Sequence, residues 1–132
     1  MKRIKELEVA NQLRMKDLKA CYDYLHRENI NEQVWLAYFN GRMHHYDCPD
    51  FDYSRTIWEK DYDAILATLE RFGIKKFTLS QTASGTINDC MFFQKHGYRL
   101  SGITELLTGD RNLFTGEPET KPAFVFKKGG RK

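Results

Sequence analysis

The stretch FTLSQTASGTINDCMFFQKHGYRL, residues 77–100, decides the fold class. Within IKKFTLSQ, residues 74–81, Phe77 and Leu79 fall on one face of a strand. A polar turn from Gln81 to Thr86 follows, and Ser84 or Thr82 can cap the helix after it. That helix is predicted to run to about His96. Gly97 ends it, because glycine takes the left-handed conformation without a Cβ penalty. YRLSGITELL, residues 98–107, is the second strand. A strand, a helix and a strand in that order predict a right-handed crossover with its two strands parallel.

Upstream, residues 2–28 contain no Gly or Pro, and Ile4, Leu7, Leu18, Tyr22 and Leu25 form one stripe, which predicts a single helix. Asn29-Ile30-Asn31 interrupts it. Asn31 caps a second helix, with Val34, Trp35, Tyr38 and Phe39 inward, that ends near Tyr46. A third helix carries Tyr62, Ile65, Leu66, Leu69 and Phe72 and stops at Gly73. Downstream, residues 108–122 read as a long loop and AFVFKK, residues 123–128, as a third strand that forms an antiparallel hairpin with the second. The predicted order is α-α-α-β-α-β-β. This is an α+β, layered fold of three to four helices packed on a three-stranded mixed sheet. One domain spans residues 1–128, and residues 129–132 are a flexible basic tail.

Composition narrows the function. Hydrophobic residues make up 41% of the 132 and aromatics 14%, enough for one core. No apolar run approaches the ~20 residues of a membrane span. The N-terminus lacks the apolar stretch of a secretory signal, so the expected location is cytoplasmic. Cys21, Cys48 and Cys90 are odd in number and far apart, which argues against a disulfide framework. The net charge of +3 conceals an acidic body. Setting aside Lys2, Arg3, Lys5, Lys127, Lys128, Arg131 and Lys132 leaves 14 basic against 18 acidic residues, so a basic nucleic-acid face is confined to the ends.

Three regions are candidates for work. The turn before the fourth helix offers unpaired helix amides, with Gln81, Thr82, Ser84, Gly85, Thr86 and Asn88 as ligand-binding residues or, alternatively, as ordinary capping residues. The acidic and aromatic segment 46–63 offers Asp50, Phe51, Asp52, Tyr53 and Trp58 as partner anchors, or contributes its aromatics to the core. The loop 108–122 offers Arg111 and Phe114. His44, His45, Asp47 and Cys48 lie within five residues, but no metal motif is legible, and neither a metal nor a cofactor is expected. No catalytic triad or nucleophile arrangement is legible either.

Over about residues 60–105 the chain resembles the late part of the GNAT acetyltransferase fold. Phe92-Phe93-Gln94-Lys95-His96-Gly97-Tyr98 matches that family's F-Y-x-K-x-G-F phrase. The resemblance implies acyl-CoA binding, with Tyr98 as a candidate general acid. The family's glycine-bearing pyrophosphate loop has no glycine counterpart here, where the matching positions are Arg55–Asp61. Over most of its length the chain is similar to small uncharacterised Firmicute proteins found near mobile elements. The shared wording is Cys21-Tyr22-Asp23-Tyr24, Lys75–Ser80 and Phe93–Gly102. That resemblance implies an accessory or anti-defence factor acting on a host protein. The expected function is therefore a non-enzymatic, protein-binding module. The alternatives are an acyl-CoA-binding enzyme and a nucleic-acid binder using the basic ends.

Overall fold

The structure is a computed structural model that describes residues 4–44, 51–81 and 84–129. Among these residues it contains α1 (Lys5–Lys16), α2 (Leu18–Arg27), α3 (Glu32–His44), β1 (Asp52–Tyr53), a 3-10 turn (Glu59–Asp61), α4 (Tyr62–Arg71), β2 (Lys76–Leu79), α5 (Thr86–Lys95), β3 (Tyr98–Arg111) and β4 (Pro118–Lys128). The α+β class holds. The helix and strand counts exceed the expected ones for reasons that are local and physical.

The single helix expected over residues 2–28 is two. Asp17 adopts an extended conformation (φ −160°, ψ 107°), and its carboxylate accepts from the Lys19 and Ala20 amides at 3.0 and 3.4 Å. A short acid that bonds the amides two and three residues ahead starts a new helix more readily than it continues an old one. Asn31 caps α3 in the same way, accepting from Gln33 and Val34 amides at 2.9 and 3.3 Å. Gly73 and Gly97 take positive φ (65° and 97°) at the ends of α4 and α5, as their positions required.

The sheet has the order β1-β2-β4-β3. β1, which lay inside the acidic segment and was not anticipated, pairs parallel with β2 through Asp52 with Thr78 and Tyr53 with Leu79. β4 is antiparallel to both β2 and β3. The crossover strands β2 and β3 are therefore parallel as expected, but β4 lies between them. The loop expected over residues 108–122 is mostly hairpin. β3 and β4 pair from Tyr98 with Lys128 to Arg111 with Pro118, with register shifts between Leu100 and Gly102 and between Leu107 and Arg111. Pro122 is tolerated because β2 ends at Leu79, opposite Phe124, so no strand on that side waits for an amide from residue 122.

One buried cluster joins residues from Ile4 to Phe126. Its centre is Phe77, whose ring lies 4.7 Å from Phe93 of α5, 5.3 Å from Tyr53 and from Tyr98, and 5.4 Å from Phe126. The helical end is tied in by polar contacts. Trp35 donates its indole N–H to Asn11 at 2.7 Å, and the Tyr38 hydroxyl donates to the Glu8 carboxylate. Arg71 of α4 donates to the Glu28 and Asn29 carbonyls at 3.0 and 3.1 Å, bracing the α2–α3 turn where Asn29 sits at φ 57°.

Two substitutions in this core should behave oppositely. Phe77→Ala removes the central ring and should cost about 3–5 kcal/mol in chemical denaturation. Tyr53 is equally buried, but its hydroxyl has no partner among the described residues. Tyr53→Phe should therefore be neutral or raise stability by up to about 1 kcal/mol, since it removes an unsatisfied polar group at constant shape. A large loss on Tyr53→Phe would show that the hydroxyl is satisfied.

Candidate functional site

The chain leaves β1 through Thr56, Ile57 and Trp58 into the 3-10 turn. It leaves β2 through Ser80 and Gln81 towards α5. Between these two exits, at the carboxyl ends of a parallel pair, lies a groove of about 1000 Å³. Such crevices are where open α/β sheets hold ligands, because two consecutive chain exits diverge there. Trp58, Glu59, Tyr62 and Asp63 form one wall. The other follows α5, from Ser84, Gly85 and Asn88 past Met91 and Phe92 to Lys95 and His96.

The walls are held together by Asp89, which is 1% exposed and also reaches the groove. Its Oδ1 accepts from the Tyr62 hydroxyl at 2.5 Å and its Oδ2 from the Gln81 amide nitrogen at 2.6 Å. Burial pushes the Asp89 carboxyl above the usual carboxylate range, and the two hydrogen bonds pull it part of the way back. The Tyr62 hydroxyl is raised in turn, first by burial and then by donating to Asp89. The Tyr62 ring stacks on Phe92 at 4.2 Å, so Tyr62 joins α4 to α5 by both polar and aromatic contact, with Asp89 and Phe92 respectively. The Gln81 amide oxygen is buried without a partner among the described residues.

Several residues singled out from the sequence converge here. Ser84, Gly85 and Asn88 from the turn and Trp58 from the acidic segment line one groove. Gln81 is buried and supports Asp89. Thr86 begins α5. Ser84 is not the cap, because Gly85 occupies that position and has no side chain to donate or accept. Thr82 and Asp50 lie outside the described residues, as do His45, Asp47 and Cys48.

Other expectations are corrected by burial. Phe51, Asp52 and Tyr53 are 3%, 0% and 2% exposed, so they serve the core and present no anchor to a partner. Asp52 accepts from the Thr78 and Ser80 hydroxyls at 2.7 and 2.8 Å, which keeps a fully buried carboxylate hydrogen-bonded. Tyr98 does not line the groove. Its hydroxyl is buried, donates to the Ile74 carbonyl at 2.9 Å, and is pushed up to about 12 by burial, which leaves it poorly placed as a general acid. Cys21 and Cys90 are free thiols raised by burial.

Arg111 and Phe114 lie at the far end of the β3–β4 hairpin. Leu106 and Ala123 form a small buried pair at its root. Between Asp110 and Thr120 every side chain is exposed except that of half-buried Asn112. The tip is nonetheless an ordered turn. Asn112 Oδ1 accepts from the Phe114 and Thr115 amides at 2.8 and 2.9 Å, its own amide donates to the Glu117 carbonyl, and Arg111 donates to the Gly116 carbonyl. Gly116 takes φ 75° to close it. β3 runs parallel to β2 and continues past the level of Leu79, opposite which Ile103 and Phe124 pair. The arm therefore projects from the same end of the sheet at which β1 and β2 finish and the groove begins. Measured along β4 from Phe124 to Pro118 it extends about 20 Å, because β3 spends extra residues at the irregularity between Leu107 and Arg111. The turn before α5 and the hairpin arm therefore lie at the same end of the sheet.

Asp89 and Tyr62 were not anticipated as a linked pair. A signal was present: Asp89 precedes Phe93 by four residues, which puts an acid on the buried face of α5. Among the described residues no helix is long and apolar enough to cross a membrane.

A family model for a domain of unknown function (DUF7698) matches residues 33–128, from α3 to the end of β4. No curated protein and no solved structure matches. The Asp89 geometry makes its own prediction. A carboxyl raised in the folded state favours the protonated fold, so its contribution is complete at acid pH and is lost as pH rises through its folded value. Asp89→Asn, which stays neutral and can donate to the Gln81 Oε1, unpartnered among the described residues, once that amide turns over, should match or exceed the parent melting temperature at pH 7. That advantage should shrink towards pH 4 as the parent carboxyl protonates. Asp89→Ala, which strands two buried donors, should cost about 1–3 kcal/mol at either pH. A pH-independent gap between parent and Asp89→Asn would contradict the assignment.

Proposed function

The chain belongs to the family of the domain of unknown function DUF7698, and we propose that it is a binding module that engages a protein partner through the pole formed by the groove and the hairpin arm. One observation carries the reading: Leu113 and Phe114 are each 96% exposed on a turn fixed by Asn112. Single exposed apolar residues are ordinary. Two adjacent ones on a hydrogen-bonded turn at the end of an arm offer anchor area with little ordering left to do on contact. Trp58, 59% exposed on the groove wall, supplies a third apolar contact at the same end. Glu59 and Asp63 beside it would meet basic groups on the partner. An accessory or anti-defence role, as the mobile-element resemblance implies, would be exercised by this pole on a host protein.

The test is a comparative capture followed by cross-linking. Parent, Trp58→Ala and Leu113→Ser/Phe114→Ser proteins are presented to the same lysate. The reading expects at least one protein held by the parent, lost by both variants, and cross-linked to residues of the pole. Equal partner sets for all three would count against it. Acetyl-CoA at millimolar concentration should leave the melting temperature unchanged. A rise would favour the acyl-CoA alternative, because a ligand of the native state stabilises it.

A further inference from the structure

We infer that the partner this pole fits includes a second copy of the same chain, in a reciprocal pairing where the arm tip of each copy lies in the groove of the other. The inference rests on the reading of the pole as a protein-binding surface. It starts from the shared end of the two features: the arm projects from the end of the sheet at which the groove begins, and the groove runs back from there along α5. When two such ends face each other about a two-fold axis across the gap, each arm points at the other copy's groove. A heterologous contact could extend without limit, but this one closes on itself after two copies.

The dimensions agree. The groove follows α5 from Gly85 to His96, and ten helical residues span about 15 Å. The free part of the arm, from Leu106 at its root to Arg111 before the turn, is about 10 Å long, measured as the three β4 steps from Lys121 to Pro118 that face it, and so fits within the groove. The chemistry agrees as well. The tip presents Leu113 and Phe114, and the groove offers Trp58, exposed Met91 and Phe92. The charges beside the tip, Arg111 and Glu117, are opposites of Glu59 and Asp63 on one groove wall and of Lys95 on the other. Pairing would cover the most exposed apolar residues of the described chain, which a lone monomer leaves in water.

Sedimentation equilibrium across the micromolar range tests this, with the folded state of each variant checked by thermal melting. The full chain should self-associate to a dimer and go no further. Leu113→Asp/Phe114→Asp on the arm and Met91→Asp in the groove should each weaken association at least about tenfold. Both sites are solvent-exposed, so melts taken at concentrations where the parent is monomeric should not change. Mixing the arm variant with the groove variant should recover part of the association, since one intact arm then meets one intact groove. A chain that stays monomeric throughout, a dimer indifferent to the arm variant, or a mixture that recovers nothing would overturn the reciprocal pairing. These outcomes separate from failure of the parent reading. A monomer whose captured partners still change with Leu113→Ser/Phe114→Ser sinks the second copy alone, whereas unchanged captures sink the pole.

Discussion

Phe77 touches α5, both long strands and β1 at once, and the position of every feature at the working end follows from that contact. Its ring is surrounded by Tyr53, Phe93, Tyr98 and Phe126. Aromatic rings at these separations bury large areas and hold preferred relative orientations, so they fix the angle as well as the distance between layers. Phe93 fixes α5 over the sheet, and the stack of Phe92 on Tyr62 then sets how far α4 stands from α5. The groove is the gap that remains between helices seated by aromatic contacts on opposite sides of the β2 exit. Asp89 sits at the bottom of that gap, where hydrogen bonds from Tyr62 and Gln81 offset the cost of its burial.

The arm follows a separate logic. Its strands need no support from helices beyond Leu106 and Ala123, because β3 and β4 pair with each other, the Thr108 hydroxyl bridges the irregular step by accepting from the Asp110 amide and donating to the Glu119 carbonyl, and the tip is closed by its own side chains. The molecule thus joins a rigid crevice to a self-contained projection at one end. The GNAT-like phrase around Phe93, Gly97 and Tyr98 belongs to the crevice's support. It packs a helix, ends it with a positive-φ glycine and buries a tyrosine against Ile74.

What was legible in the sequence was local. Asn31, Gly73 and Gly97 mark helix ends because a cap or a left-handed residue acts on atoms two to four positions away. Asp17 carried the same kind of signal, but it sat in a stretch that was otherwise uniformly helical. The two-residue strand Asp52–Tyr53 was invisible because its partner lies 26 residues on, at Thr78 and Leu79, and so short a run has no period. The extension of the hairpin past Leu107 was hidden by Gly109, Gly116, Pro118 and Pro122. These residues read as loop chemistry, and only the sheet order explains why β4 accommodates the second proline. Segment 46–63 was half understood: its aromatics divide between core and surface, and alternation with acids did not reveal that Phe51 and Tyr53 face in while Trp58 faces out.

The order β1-β2-β4-β3 also bears on how the chain reaches this structure. β4 is the last strand in sequence and pairs with strands on both sides, while the earlier β2 and β3 have no contact with each other along their edges. During synthesis the first strands can pair only as the short parallel β1–β2 unit, and the sheet cannot be joined across its width until residue 128 has emerged. Closure depends on contacts between residues far apart in sequence, which makes it a slow step by topology. The β2 edge stays open to other chains for as long as that step takes.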